Sequence, residues 1–300
     1  MITVALLPVI LCAPAQGAEQ METREVSGAP FVIVFPHHLG AMADRIARII
    51  GRSYPDIAGE VGLEGIDTVM VYIAGDKETY RQYHDGLVPE WGVAYSRWHD
   101  REIGIDAGAV LSQPRPLEVI LRHELSHIVL AERIGGVSCP NWFVEGLAMF
   151  QSNEWTLEDQ WGLVRSVGRK SLPSLEELKG PFPRNAADAT LAYRVSYYAV
   201  DELMRDRQGD LVTMTAFIRD LGSFDESFKL TFGESSSEYS ARLYVLMLNR
   251  YETAARLIRS VPYWGMLTLL FVIVYAVKRI RTWRKLREWE RAEEASEERF

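Results

Sequence analysis

Residues 121–131 read LRHELSHIVLA and constrain the structure of this chain more than any other stretch. His123 and His127 are four positions apart, so on an α-helix both imidazoles lie on one face, about one turn apart. From there they can bind a single metal ion. Glu124 would then lie beside the ion, where its carboxylate can accept a proton from a water molecule. The stretch therefore predicts a helix that carries a metal site with a general base.

The residues on either side place this stretch in the middle of its helix. Pro114 and Pro116 come before it, and a proline in the first turn of a helix loses no hydrogen bond that it needed. Gly135 and Gly136 come after it and predict the end of the helix. Apolar residues at helical spacing predict the buried side: Leu117, Ile120, Leu121, Ile128 and Val129.

Glu145 is the candidate for a third metal ligand, because two histidines leave a zinc ion short of a protein ligand. Pro140 begins the next predicted helix, and Gly146 would allow the helices to approach closely. A carboxylate in so apolar a segment is costly unless it is paired. The pattern predicts one Zn²⁺ ion bound by His123, His127 and Glu145, although affinity order alone leaves other divalent metals open.

The two motifs together, HELSH and then WFVEGLA, with 17 residues between His127 and Glu145, resemble those of the gluzincin peptidases. In that family a glutamate on a following helix is the third ligand. The chain is most similar to the bacterial peptidase MA-like domain, and residues 171–183 and 191–209 also match its pattern. The resemblance covers about residues 30–248. It implies an α+β, zincin-like fold with an N-terminal mixed sheet, an active-site helix and a mainly helical C-terminal subdomain.

The resemblance also assigns a role to Tyr193 and leaves one position unfilled. Tyr193 matches a tyrosine that stabilises the oxyanion in aminopeptidase-type relatives, where the phenol donates a hydrogen bond. The alternative is that Tyr193, Tyr197 and Tyr198 pack along a helix face.

Some relatives have an aspartate four residues after the ligand glutamate that orients a histidine, but here that residue is Met149. Another group must then orient a histidine, or the site is looser.

Residues 92–107 predict a β-hairpin just before the motif helix. In zinc peptidases a strand at this position commonly lies along the cleft and pairs with an extended substrate, backbone to backbone. We expect the second arm of the hairpin, residues 102–106, to be that strand.

The two ends of the chain predict a location. Residues 1–18 resemble a secretory signal peptide, with an apolar run and then small residues, although no Lys or Arg precedes the run. Residues 261–277 carry no charge, and this length is at the short end for a transmembrane helix. The basic residues that follow predict a cytoplasmic tail over 278–300. The alternative for residues 1–18 is a buried first strand or a retained anchor. The alternative for residues 261–277 is a buried core helix. The peptidase-like domain, 22–255, would then lie outside the cytoplasm.

Composition narrows the class of function. The net charge is -8 and the pI about 5.4, which argues against a nucleic-acid partner.

From the motifs and the two chain ends we expect a membrane-anchored, single-pass zinc metallopeptidase acting on a peptide or protein substrate. The alternative is a catalytically weak or inactive zincin-fold binding or assembly protein at the membrane, which Met149 favours and Glu124 opposes. Substrate, endo- or exopeptidase action and oligomeric state stay open.

Overall fold

The computed structural model describes residues 20–84, 92–169, 171–206, 210–260 and 263–297. The predicted signal peptide, residues 1–18, lies outside these residues. The chain divides into two compact units. The first contains the described residues within 1–160 and 173–243, and the second contains those within 161–172 and 244–300.

Five strands in the described part of the chain form one mixed sheet in the first unit. They are β1 (Met21–Glu25), β2 (Phe31–Pro36), β3 (Val69–Ala74), β4 (Ala94–Arg97) and β5 (Glu102–Asp106), in the spatial order β1-β2-β3-β5-β4. The three central strands are parallel, and the two outer ones run antiparallel to their neighbours. Ile33, Val71 and Ile103 form one row across the centre and are fully buried. Their β-branched side chains suit a pleated, buried surface.

Helices make up most of the remaining chain. They are α1 (Gly40–Val61), α2 (Lys77–His84), α3 (Ala107–Ser112), α4 (Leu117–Arg133), α5 (Asn141–Ser152), α6 (Leu157–Arg169), α7 (Ala186–Asp206), α8 (Leu211–Leu221), α9 (Phe224–Phe232), α10 (Ser236–Ser260) and α11 (Tyr263–Glu297). With the sheet they form a mixed α+β structure with a mostly helical body, which confirms the predicted class.

The motif helix α4 lies where its flanking residues predict it. It begins after Pro116, which has extended backbone angles, and the chain leaves it through Gly135 and Gly136, both at positive φ. Its apolar face is buried against α1 and α5, whereas β4 lies against another part of its surface. The predicted helix and both of its ends are therefore confirmed.

The expectation that residues 102–106 form the substrate-pairing strand is wrong. These residues are β5, which is hydrogen-bonded to β3 on one side and to β4 on the other, so its backbone groups are already paired. Among the described residues, the outer strand next to α4 is instead the first arm of the hairpin, β4. The hairpin itself is confirmed.

Gly146 in α5 permits a close approach of helices, and its partner is α7. A Cβ atom at position 146 would collide with the carbonyl group of Ser196 in α7. Only glycine fits at this crossing, so α5 and α7 lie in direct backbone contact.

The second unit contains the end of the chain. Its helix α11 includes residues 265–277, whose apolar side chains are mostly exposed, Phe271 at 74%. No helix in the part of the chain that the structure describes combines the length and the apolar character needed to span a membrane. Residues 261 and 262 of the predicted span are outside the described ranges.

Candidate metal centre

The structure brings His123 and His127 of α4 together with Glu145 of α5. Oε2 of Glu145 lies 3.5 Å from Nε2 of His123 and 3.7 Å from Nε2 of His127. One ligand atom from each of the three residues lies within 4.8 Å of the other two. The centroids of the two imidazole rings are 4.8 Å apart and the rings are nearly perpendicular, while Nε2 of each ring lies near the same oxygen of Glu145.

A carboxylate on the far side of His123 holds its second ring nitrogen. Nδ1 of His123 lies 3.1 Å from Oε2 of Glu154, and Oε1 of Glu154 lies 2.8 Å from Nη1 of Arg115. Met149, at the position where some relatives have an aspartate, is a buried apolar side chain. Glu154 was not predicted from the sequence. The available signal was Asn153, a residue that tolerates the left-handed turn that ends α5.

Glu124 extends from α4 toward the sheet, where β4 supplies a hydrogen-bond donor. Oγ of Ser96 donates to Oε2 of Glu124 over 2.8 Å. Ser96 was also missed from the sequence, because its contact depends on how the hairpin lies against α4. The hydroxyl orients one carboxylate oxygen of the predicted base.

Tyr193 and Tyr197, both on α7, have different surroundings. Burial raises the pKa of Tyr193, and the nearby charges of Glu145, Glu154 and Glu124 raise it further. The phenol therefore keeps its proton at neutral pH and can donate a hydrogen bond. Tyr197 instead stacks on Trp155, with ring centroids 4.4 Å apart.

The two histidines respond differently to this environment. Burial opposes a charge on His123, but its hydrogen bonds to Glu145 and Glu154 outweigh burial and raise its pKa to about 10. Burial lowers the pKa of His127. Burial also opposes ionisation of Glu145, yet the charges of the two histidines lower its pKa. The carboxylates thus stabilise a positive charge at this point, here the charge on His123.

The sequence model of the family described as Peptidase MA superfamily matches residues 56–242, more than half of the chain. The chain belongs to the peptidase MA superfamily. Comparison with curated proteins found no match. Membership indicates a peptidase-like hydrolase with a peptide or protein substrate, in a family that is typically metal-dependent.

The donor set of this peptidase MA member fits a divalent metal ion. Two imidazoles and one carboxylate are the ligands that catalytic zinc sites use, with a further position left for water. The contact of His123 with Glu154 is also the arrangement that metal-binding histidines usually show. The three residues therefore form a possible metal site, with Glu124 adjacent to it on the same helix.

Proposed function

We propose that this protein is a zinc metallopeptidase in which His123, His127 and Glu145 bind one Zn²⁺ ion. One observation carries the proposal: the three ligand atoms converge within 4.8 Å, and Glu124 lies beside two of them on α4. A purely structural metal site has no need of a base. A bound zinc ion would polarise the scissile carbonyl and make a nearby water more acidic.

The protein's own groups then move the proton. Glu124 takes a proton from the attacking water as general base and later passes it to the leaving amine. Ser96 donates to Oε2 of Glu124 and so fixes the direction of the carboxylate. Tyr193 keeps its phenolic proton and donates a hydrogen bond to the oxyanion that forms from the carbonyl.

An extended peptide would bind along β4. This strand is the outer one beside α4 in the described part of the sheet, and it carries Ser96 next to the base. Backbone hydrogen bonds to such a strand align a peptide without regard to most of its side chains. The scissile bond would then lie next to Glu124.

The test compares the wild-type protein with Glu124→Gln on a library of quenched fluorescent peptides. Glutamine keeps the shape of the side chain but cannot accept the proton. We expect hydrolysis to fall by about 10²- to 10⁴-fold, the usual contribution of a general base, with zinc content unchanged. Equal activity of the two proteins on a peptide that the wild type cleaves would refute the mechanism. A wild type that binds zinc but cleaves no peptide would favour the inactive binding protein.

We further propose that residues 261–277 attach the protein to a membrane, with residues 22–255 outside the cytoplasm and 278–300 inside. The uncharged sequence, the basic residues after it and the exposed side chains of α11 support this. The full chain should stay in the membrane pellet after an alkaline wash, and a chain ending at residue 260 should not. Recovery of the full chain in the soluble fraction would contradict the proposal. The signal peptide over residues 1–18 stays a prediction.

A further inference from the structure

Glu154 reaches the metal centre because of the way α5 ends. The helix ends at Ser152, and Asn153 adopts left-handed backbone angles, φ 55° and ψ 42°. The amide of Asn153 donates to the carbonyl of Phe150, and the amide of Glu154 donates to the carbonyl of Met149. These two bonds close the last turn and direct the chain back toward α4. The backbone position of Glu154 is thus set by the end of the helix and not by its side-chain contacts.

Both carboxylate oxygens of Glu154 are occupied. Oε1 is paired with the Arg115 guanidinium over 2.8 Å, and Oε2 is 3.1 Å from Nδ1 of His123. The Glu154 side chain is only 12% exposed, so water contributes little to its solvation. An ionised carboxylate can only accept hydrogen bonds, and the pairing with an arginine keeps it ionised. Nδ1 of His123 must therefore be the donor.

The direction of this hydrogen bond decides which ring nitrogen of His123 can bind a metal ion. A metal ion takes the place of the proton on Nε2, so with the other proton held on Nδ1 the lone pair for the ion is on Nε2, the atom that lies 3.5 Å from Oε2 of Glu145. The hydrogen bond also fixes the rotation of the ring. His127 is different, because its Nδ1 makes no hydrogen bond with any residue in the described ranges.

We propose that Glu154, anchored by Arg115, is the positioning residue for His123, setting both the tautomer and the orientation of this metal ligand. The inference rests on the proposed function, since it assumes that the histidines bind zinc. It gives Glu154 no contact with substrate. Its effect is exerted through His123.

The experiment measures Zn²⁺ affinity of the full chain by competition with a chelating dye. We expect Glu154→Ala to bind zinc about 10- to 100-fold more weakly than the wild type, the usual effect of removing a group that orients a metal ligand. Glu154→Gln should lie between them, because its amide oxygen still accepts from Nδ1 but carries no charge. Arg115→Ala should lose less than Glu154→Ala, because the carboxylate remains in place.

Glu158→Ala is the matched control, since Glu158 is an exposed glutamate in the first turn of α6. It should bind zinc as the wild type does. Thermal unfolding in excess chelator separates positioning from folding, because a positioning role predicts weaker zinc binding at an unchanged unfolding temperature. If Glu154→Ala does not fold, Glu154→Gln carries the test by the same criteria.

Zinc affinity of Glu154→Ala within twofold of the wild type would overturn the inference and leave the proposed function intact. The inference would also be overturned if Glu154→Ala bound zinc more weakly but had a correspondingly lower unfolding temperature in excess chelator, because the weaker binding would then be due to lost stability. A wild type that binds no zinc would overturn the proposed function and the inference together. The two failures are thus distinguishable from the wild-type measurement alone.

Discussion

The two sides of the candidate metal centre are supported by different chemistry. On the sheet side, Glu124 receives a hydrogen bond from the neutral hydroxyl of Ser96. On the helical side, Glu145 and Glu154 are charged groups in contact with His123. A base must be oriented and still be able to take a proton, which a neutral donor allows. A metal ligand must be held still, which paired charges achieve.

This difference predicts separate consequences for variants on the two sides. Loss of a group on the sheet side should slow turnover and leave zinc binding unchanged. Loss of a ligand or of its support on the helical side should weaken zinc binding first. Tyr193 lies on the helical side but binds no metal in our proposal. A variant at Tyr193 therefore tests whether the role of a residue, or the side on which it lies, determines if turnover or zinc binding is lost.

Tyr193→Phe should lower kcat by about 10²- to 10³-fold, the usual cost of removing one donor to an oxyanion. Zinc affinity should not change, since no ligand is touched. Steady-state kinetics on a cleaved peptide check this, with Tyr197→Phe as the control, because that ring stacks on Trp155. An equal loss of kcat in both variants would assign Tyr193 to packing.

Ser96→Ala should lower kcat roughly tenfold, because a hydrogen bond to a charged group contributes about 1.5 kcal/mol or somewhat more. Zinc content should match that of the wild type. The control is Ser112→Ala, because the Ser112 hydroxyl donates to the carbonyl of Gly108 in its own helix. A variant at Ser96 that loses zinc would remove the distinction between the two sides.

Gly146→Ala should destabilise the fold by about 1–3 kcal/mol, the cost of overpacking a close contact. The added methyl group meets the Ser196 carbonyl and would push α5, and Glu145 with it, away from α7. Gly59→Ala is the control: it is also a helical glycine, but among the described residues no atom beyond its own stretch of helix lies within 4 Å of the added Cβ. That variant should be neutral or more stable by about 0.5–1 kcal/mol. Denaturant unfolding measures both, and equal stabilities would contradict the close crossing.

The sequence predicted best what depends on local spacing. His123, Glu124 and His127 lie within one helical turn, and prolines and glycines mark the limits of their helix. Glu145 followed from the number of ligands that zinc needs, and its convergence with the histidines is now seen in the structure. The roles of these residues and of Tyr193 stay predictions until they are tested.

What the sequence did not predict depends on contacts between distant elements. Ser96 precedes Glu124 by 28 residues, and no periodicity relates a strand residue to a helix across that distance. Glu154 follows a left-handed turn that reverses the chain, so helical spacing from Glu145 does not reach it. The order of β4 and β5 also reversed our expectation, because the hairpin pattern does not tell which arm pairs with β3.

Zinc content of two variants, measured by elemental analysis beside the wild type, tests the central claim most directly. Glu124→Gln changes the sheet side and Glu145→Ala changes the helical side of the same centre. We predict about one zinc ion per chain in the wild type and in Glu124→Gln, and loss of most of it in Glu145→Ala, since catalytic zinc sites use three protein ligands. Wild-type zinc content in Glu145→Ala, or its loss in Glu124→Gln, would contradict the assignment of ligand and base.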